Sequence, residues 1–532
     1  MGHLSIPAAH AIIWPTYGVL LITASMVAYW KRDSKTFLSA NGTQKAIPLA
    51  FNFVASGLGC GVLSTYPQIA NLDGLHGLLV YALAGGLPMF VFAFLGPLIR
   101  KKTPSGFVLT EWVFHRFGLL CGWYLSACTI LTVYLFLVSE VASLKYAIDT
   151  LTNINSLPVI IIECVVTTIY TSIGGFHISF MTDSLQVSIV FILLVIVAAA
   201  MGSRIHIDRD LIGPSGLLKG NKLGWQLVYI LTVAIFTNDF FMITFVTVVG
   251  VTGFIAVWAG LLPARDQENS GAAFYLLLAQ LPSWIIGFTL VFVAVLSTCT
   301  LDSLQSALVS TISNDVFRNK LHIMLVRGIV VAIMVPVVVV GLIAQDVLSI
   351  YLIVDLLSSS VVPVLVVGLW GKLDEIWSAW EVIGGGCAGI LGVWIFGTVY
   401  YHSAKEGGRL LLISNGLYAD DWGAFGAFVV APGAGLVCSV IILAIRLSLM
   451  KLYKKNPEGR FHRTCNKLGQ VTGITRLYHF VNYWDSRLID RSATEELPSD
   501  ISLRSDEEDN KKSMESIRVH ELSENNTNEH DS

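Results

Sequence analysis

Charge is what this chain has least of. Asp, Glu, Lys and Arg make up only 13% of its 532 residues, against roughly a quarter in an ordinary soluble protein. The scarcity is also lopsided, because 28 of the 71 charges fall after Met450 and only 43 serve the first 450 residues. Such a stretch cannot present a normal wet surface, which excludes a soluble globular protein. With a net charge of −3 there is no basic field for a nucleic acid. The eight cysteines offer no disulfide framework, since Cys60, Cys121, Cys128, Cys164, Cys299, Cys387 and Cys438 lie inside apolar runs and Cys465 lies in the tail. Catalytic signatures are missing too: there is no HExxH, no paired Cys/His metal spacing, no GxSxG and no P-loop lysine motif. Glu111 and His115 stand one helical turn apart, but beside Arg116 at the rim of a span, which reads as interfacial anchoring. The expectation is a protein that is not an enzyme and carries no organic cofactor or metal centre.

What the chain does have is apolar length, with 54% hydrophobic residues and a mean hydropathy of +0.68. A bilayer core of about 30 Å needs about 20 apolar residues per helix. That ruler gives thirteen candidate spans: 10–29, 46–69, 76–99, 118–144, 157–173, 180–202, 224–241, 243–262, 282–310, 322–343, 346–368, 377–400 and 425–448. Helices are required, because lipid leaves no partner for an open strand edge. The expected architecture is an all-α polytopic membrane protein over residues 1–450, probed by lipid on its outer faces. No basic residue precedes the first run, while Lys31 and Arg32 follow it, so the start reads as an anchor with the N-terminus outside rather than a cleaved signal. The cluster Arg100, Lys101, Lys102 and the basic tail put the C-terminus in the cytoplasm of a cell, at the plasma membrane.

The tail changes character twice. Residues 451–491 carry nine basic and three acidic residues, a juxtamembrane pattern suited to anionic lipid. Residues 492–532 carry four basic and twelve acidic residues, with too little apolar surface to fold. Within them Ser505-Asp-Glu-Glu-Asp509 has the pattern of an acid-directed phosphorylation site, with Lys511 and Lys512 beside it, so a regulatory kinase or ubiquitin ligase is a partner to consider beside a plain solvated tail.

Ionisable residues inside spans are costly and mark function by default. Glu140, Asp183, Asp239, Asp302, Arg327 and Asp355 stand out. Arg327 and Asp183 sit near cytoplasmic ends, where snorkelling or capping is the alternative. Glu140 is expected to reach Lys145 or water. Asp302 lies well inside a span within Ser297-Thr-Cys-Thr-Leu-Asp-Ser-Leu-Gln-Ser306, too polar a stretch to face lipid. The second span holds Val54-Ala-Ser-Gly-Leu-Gly-Cys-Gly61, followed by Pro67. Its three glycines suit either close helix packing or a broken helix whose carbonyls coordinate a cation.

Three segments resemble the sodium/solute symporter family, which is built on the LeuT-type fold. Tyr170-Thr-Ser-Ile-Gly-Gly-Phe-His-Ile-Ser-Phe-Met-Thr-Asp-Ser-Leu-Gln186 is similar to that family's GG, short loop and T-D-x-x-Q signature. Leu296 to Phe317, ending Ser-Asn-Asp315-Val-Phe, is similar to its serine-rich helix with a closing D-[ILV]-[YF]. The glycine-rich second span, Gly74 and the helix start at Gly77-Leu-Leu-Val-Tyr-Ala82 complete the likeness, which covers about residues 10–450. Within the family, the fungal urea and polyamine branch is the nearest in character.

The resemblance implies a five-plus-five inverted repeat, here spans two to six and seven to eleven, and transport of a small polar solute such as urea or a related nitrogen compound, coupled to a sodium ion or a proton. It places the shared cation site on the carbonyls of Ala55, Leu58 and Leu296 and on the side chains of Cys299 and Thr300. Asp183, Asp302 and Ser303 match positions of a second cation or proton path; the solute-binding residues stay unassigned. Two departures stand out. A thiol at Cys299 replaces the usual hydroxyl and is a poor ligand for a hard cation, while Asp302 adds a carboxylate. Residues 224–262 must also hold two spans with almost no loop between them. A non-transporting sensor on the same fold, and a transporter lacking a segment near Phe241, are therefore competing expectations; a polytopic membrane enzyme comes third.

Overall fold

The computed structural model describes residues 4–30, 57, 59–102, 109–219, 242–266, 269–317, 323–344, 346–370, 373, 376–413 and 422–455. Among them no β-strand forms; the backbone groups of these apolar runs pair within helices, as a lipid environment demands. The helices are α1 (Ile6–Trp30), α2 (Cys60–Lys102), α3 (Leu109–Leu151), α4 (Ser156–Arg204), α5 (Arg209–Ser215), α6 (Met242–Trp258), α7 (Ala273–Leu278), α8 (Ser283–Thr311), α9 (Ile323–Ile343), α10 (Val347–Val367), α11 (Ala379–Tyr400), α12 (Ala404–Leu411) and α13 (Gly423–Lys455). Residues Met1–Lys454 form one unit and Lys455–Ser532 another; of the tail segments 451–491 and 492–532, only 451–455 are described.

Six helices are long and apolar enough to cross a bilayer among the described residues, or seven if Ser188–Arg204 and Arg209–Ser215, bent by 105°, count as one span. The thirteen expected spans are not all tested: 224–241 and the first part of 46–69 lie outside the described residues, and elsewhere helices run on past the apolar windows. α2 and α3 have 43 residues each, and a straight helix of that length would measure about 65 Å, twice a bilayer core. Both break at a glycine. Gly74 has φ 73° and ψ −165°, and Gly118 has φ 83° and ψ 179°, combinations open essentially to glycine alone. At Gly74 the break also brings Leu75 N to donate to Leu217 O at 2.8 Å.

α4, at 49 residues, bends sharply for a different reason. Tyr170 Oη and Thr182 Oγ1 both donate to Asp302 Oδ2, at 2.7 and 3.3 Å. Twelve residues of straight helix would separate them by about 18 Å, too far for one oxygen to hold both. The run therefore bends between them, and the stretches on either side correspond to the expected spans 157–173 and 180–202. Asn155 caps its start, accepting from Leu157 N at 3.0 Å.

α8 is the most enclosed of the long apolar helices, with nearly every residue from Ile285 to Val309 buried. α4 packs along it, and α1, α3 and α9 also touch it. α1 and α13 lie at the rim, showing Val19, Ile22, Val437 and Ile441 to the lipid. α13 is tied to α11 by a buried ion pair, Arg446 Nε to Glu381 Oε1 at 2.7 Å, in which Glu381 is fully buried.

Candidate functional site

The polar groups of α8 gather on two faces. On one, Ser303 Oγ donates to Asp183 Oδ2 at 2.8 Å and Cys299 Sγ to Asp183 Oδ1 at 3.4 Å. Asp302, one position along, is clasped by Tyr170 and Thr182. Asp183 and Asp302 are fully buried, and Ser303 nearly so. The structure thus brings together Asp183, Asp302 and Ser303, which come from the second stretch of α4 and from α8. It places Asp183 deep in the bundle and not at a snorkelling position. It also gives Cys299 a partner: the thiol serves Asp183 as a donor, a task that suits sulfur better than ligating a hard cation. Leu296 and Thr300 are buried on the same helix. Ala55 and Leu58 lie outside the described residues, as do Asp239 and the side chain of Arg327.

The other face of α8 meets a residue that a span-by-span reading passes over. Glu163, on the first stretch of α4, is fully buried. Its Oε1 accepts from Thr298 Oγ1 at 3.5 Å, and it stands beside Ser297 and Tyr17 of α1. The signal was present in the sequence, the single charged residue in the seventeen-residue stretch Ser156–Ser172.

Glu140 corrects an expectation. It does not turn to Lys145, whose Nζ donates to Leu342 O at 2.8 Å. It is buried, and its two carboxylate oxygens accept from Cys60 N at 2.8 Å and Gly61 N at 3.2 Å. These amides open α2, so Glu140 caps a helix that begins in mid-bundle, the geometry expected of a broken span. Gly59 makes the approach possible: a Cβ there would collide with the Glu140 carboxylate. Asp355 is half-buried on α10, one turn beyond Tyr351.

Asp315, the acid of the closing motif, has a structural task. It accepts from Thr110 Oγ1 at 3.1 Å, Ser126 Oγ at 2.9 Å and Asn314 Nδ2 at 3.0 Å, tying both sides of the α3 break to the end of α8. Among the described residues no group of three His, Cys, Asp or Glu side chains is placed to hold a metal ion. The short stretch that carried the second departure is described only from α6 onward.

No family model matches the chain. The spermidine transporter DUR31 of Candida albicans is 52% identical over 484 residues, covering 86% of this chain and 93% of that protein. The urea active transporter of Saccharomyces cerevisiae is 23% identical over 206 residues, 37% of this chain and 27% of that one. The probable urea active transporter 2 of Schizosaccharomyces pombe is 28% identical over 169 residues, 31% of this chain and 24% of that one. Among solved structures, a substrate-bound, outward-open Na+-coupled sialic acid symporter matches with a TM-score of 0.59 at 13% identity, over 82% of this chain and 97% of that one. That likeness shows the fold, a LeuT-type helical bundle. The protein is an integral membrane transporter and not an enzyme. With half its residues shared along nearly the whole of a Candida relative, the chain belongs to the sodium/solute symporter family, in the branch of the fungal urea and spermidine transporters.

Proposed function

We propose that this protein is a secondary active importer of a polyamine of the spermidine class, driven by a sodium or proton gradient across the plasma membrane. The observation that carries the reading is the 52% identity to a spermidine transporter over 86% of the chain. The bundle interior supports it: buried carboxylates at Glu140, Glu163, Asp183 and Asp302 suit cations, organic or inorganic, better than anions. In this reading Asp183, Asp302 and Ser303 hold the coupling ion or proton. Leu296 and Thr300, with Ala55 and Leu58, supply oxygens of a shared cation site, and Cys299 serves Asp183. Urea is the second reading, favoured by the two yeast urea transporters at lower identity and over a smaller part of the chain.

Uptake of radiolabelled spermidine and of urea, in cells stripped of their own carriers, tests this. Spermidine should accumulate, and a sodium or a pH gradient should set the rate. Binding without accumulation would identify a sensor instead. Accumulation of urea alone would select the second reading.

A further inference from the structure

The helix end at Cys60 presents two backbone amides in the middle of the bundle. In LeuT-type carriers such half-helix N-termini point at anionic groups of the solute. Here the place is already taken, by the carboxylate of Glu140. An anionic group is therefore turned away, and the surroundings are rich in acceptors. Each Glu140 oxygen uses one lone pair on the helix end and keeps another. Glu163 is also near Cys60. No basic side chain among the described residues pairs with either glutamate.

Several buried polar atoms gather in this region: Glu163 Oε2 with Ser297 Oγ and Tyr17 Oη beside it, and Tyr275 Oη beside Ser64. All of these side chains are at most 1% exposed. Tyr275 lies within electrostatic reach of both Cys60 and Glu140. Buried polar groups need partners, and a ligand rich in donors can share in supplying them. The acidic line also continues toward α10. Tyr351 adjoins Glu140, its hydroxyl admitted by Gly61, where a Cβ would collide with it. One turn on, Asp355 stands beside Tyr66 and Tyr81, which meet edge-on at 5.2 Å.

We propose that Glu163, Glu140 and Asp355 form a row of carboxylates that binds the ammonium groups of a linear polyamine, with tyrosine rings walling the methylene segments between them. The row rests on the reading of the protein as a polyamine carrier and names the residues that select the solute. Each ammonium brings up to three donors and no acceptor, matching a cluster of acceptors. Tyrosine faces attract organic cations, which an inorganic ion with its tight oxygen cage does not need. Urea has no charge to offer these carboxylates.

The test measures spermidine and putrescine binding to purified protein by scintillation proximity, together with uptake in cells at matched surface abundance. Glu163 caps no helix, so Glu163→Gln gives the cleanest reading, and Asp355→Asn reports the α10 end. Both should raise the spermidine Kd and KM at least tenfold with the melting temperature held. Asp355→Asn should leave putrescine, which spans only Glu163 and Glu140, within twofold of wild type. Glu140→Gln should lose affinity, and Glu140→Asp should recover part of it. Spermidine Kd values within twofold of wild type in Glu163→Gln and Asp355→Asn would overturn the row. So would a shift in sodium half-saturation with spermidine binding untouched, which would make this an inorganic cation site. Wild type that binds spermidine without accumulating it would overturn the importer while the Kd shifts still judge the row. Wild type that neither binds nor accumulates it would overturn both.

Discussion

Removing the Ser303 hydroxyl tests the Asp183 group with a small change. Ser303 donates at 2.8 Å to one oxygen of a fully buried carboxylate, and the other oxygen has the weaker thiol of Cys299 at 3.4 Å. A hydrogen bond to a charged group is worth about 1.5–3 kcal/mol, so Ser303→Ala should weaken whatever depends on an oriented Asp183 by roughly 10- to 150-fold. If Asp183 binds the coupling ion, that loss falls on the ion concentration for half-maximal uptake and leaves solute affinity at saturating ion nearly unchanged. Cys299→Ser offers the other oxygen a stronger donor. It should recover part of the loss in the double variant, because the two side chains share one partner and their effects are not additive. Uptake would be titrated against sodium at fixed pH and against pH without sodium, at equal surface abundance. Wild-type curves for Ser303→Ala in both titrations would refute the assignment of Asp183 to the coupling ion. A loss in Ser303→Ala that Cys299→Ser fails to relieve would show that the hydroxyl acts through some other contact.

Gly74→Ala must place a side chain at φ 73°, against the Leu217 carbonyl; a cost of about 1–3 kcal/mol follows, visible as a lower melting temperature in detergent. Arg446→Met strands the buried Glu381 and should destabilise by about 3–5 kcal/mol, most of which a second change, Glu381→Gln, should restore. Thr300→Val should raise the sodium concentration for half-maximal uptake more than it raises the solute KM, since sodium needs several oxygens in one cage. Deleting residues 492–532, acidic and poor in apolar surface, should leave uptake per surface molecule unchanged; a fall would give the tail a structural role. A C-terminal tag should resist protease added to intact cells, as the basic residues around the first loop and the tail require.

The sequence made Asp302 and Asp183 legible because each breaks the apolar pattern inside a recognisable motif. The family likeness assigned both to a second cation or proton path, but it did not imply the clasp by Tyr170 and Thr182, since that depends on how α4 bends. Glu140 was misread for a physical reason. A charged neighbour five residues away seemed the natural partner, while its actual partners are amides about eighty residues distant. Amides are present at every position, so no residue type announces them. Glu163 was missed because the run around it is short and otherwise ordinary. The apolar windows marked stretches but not helix ends: Gly74 and Gly118 fall at window edges, yet the helices on either side run on past them.

The clasp on Asp302 and the ties on Asp183 also set an order of events during synthesis. α4 leaves the ribosome well before α8: the partners of Asp183 lie about 120 residues further along the chain, and Tyr170 and Thr182 wait as long for Asp302. At about 5–20 residues per second, Asp183 waits roughly 6–24 s for the serine that will hold it. A carboxylate alone on a membrane segment is unwelcome in lipid. The Asp183 stretch of α4 is therefore better placed at the insertion machinery, or near water, until α8 supplies its partners.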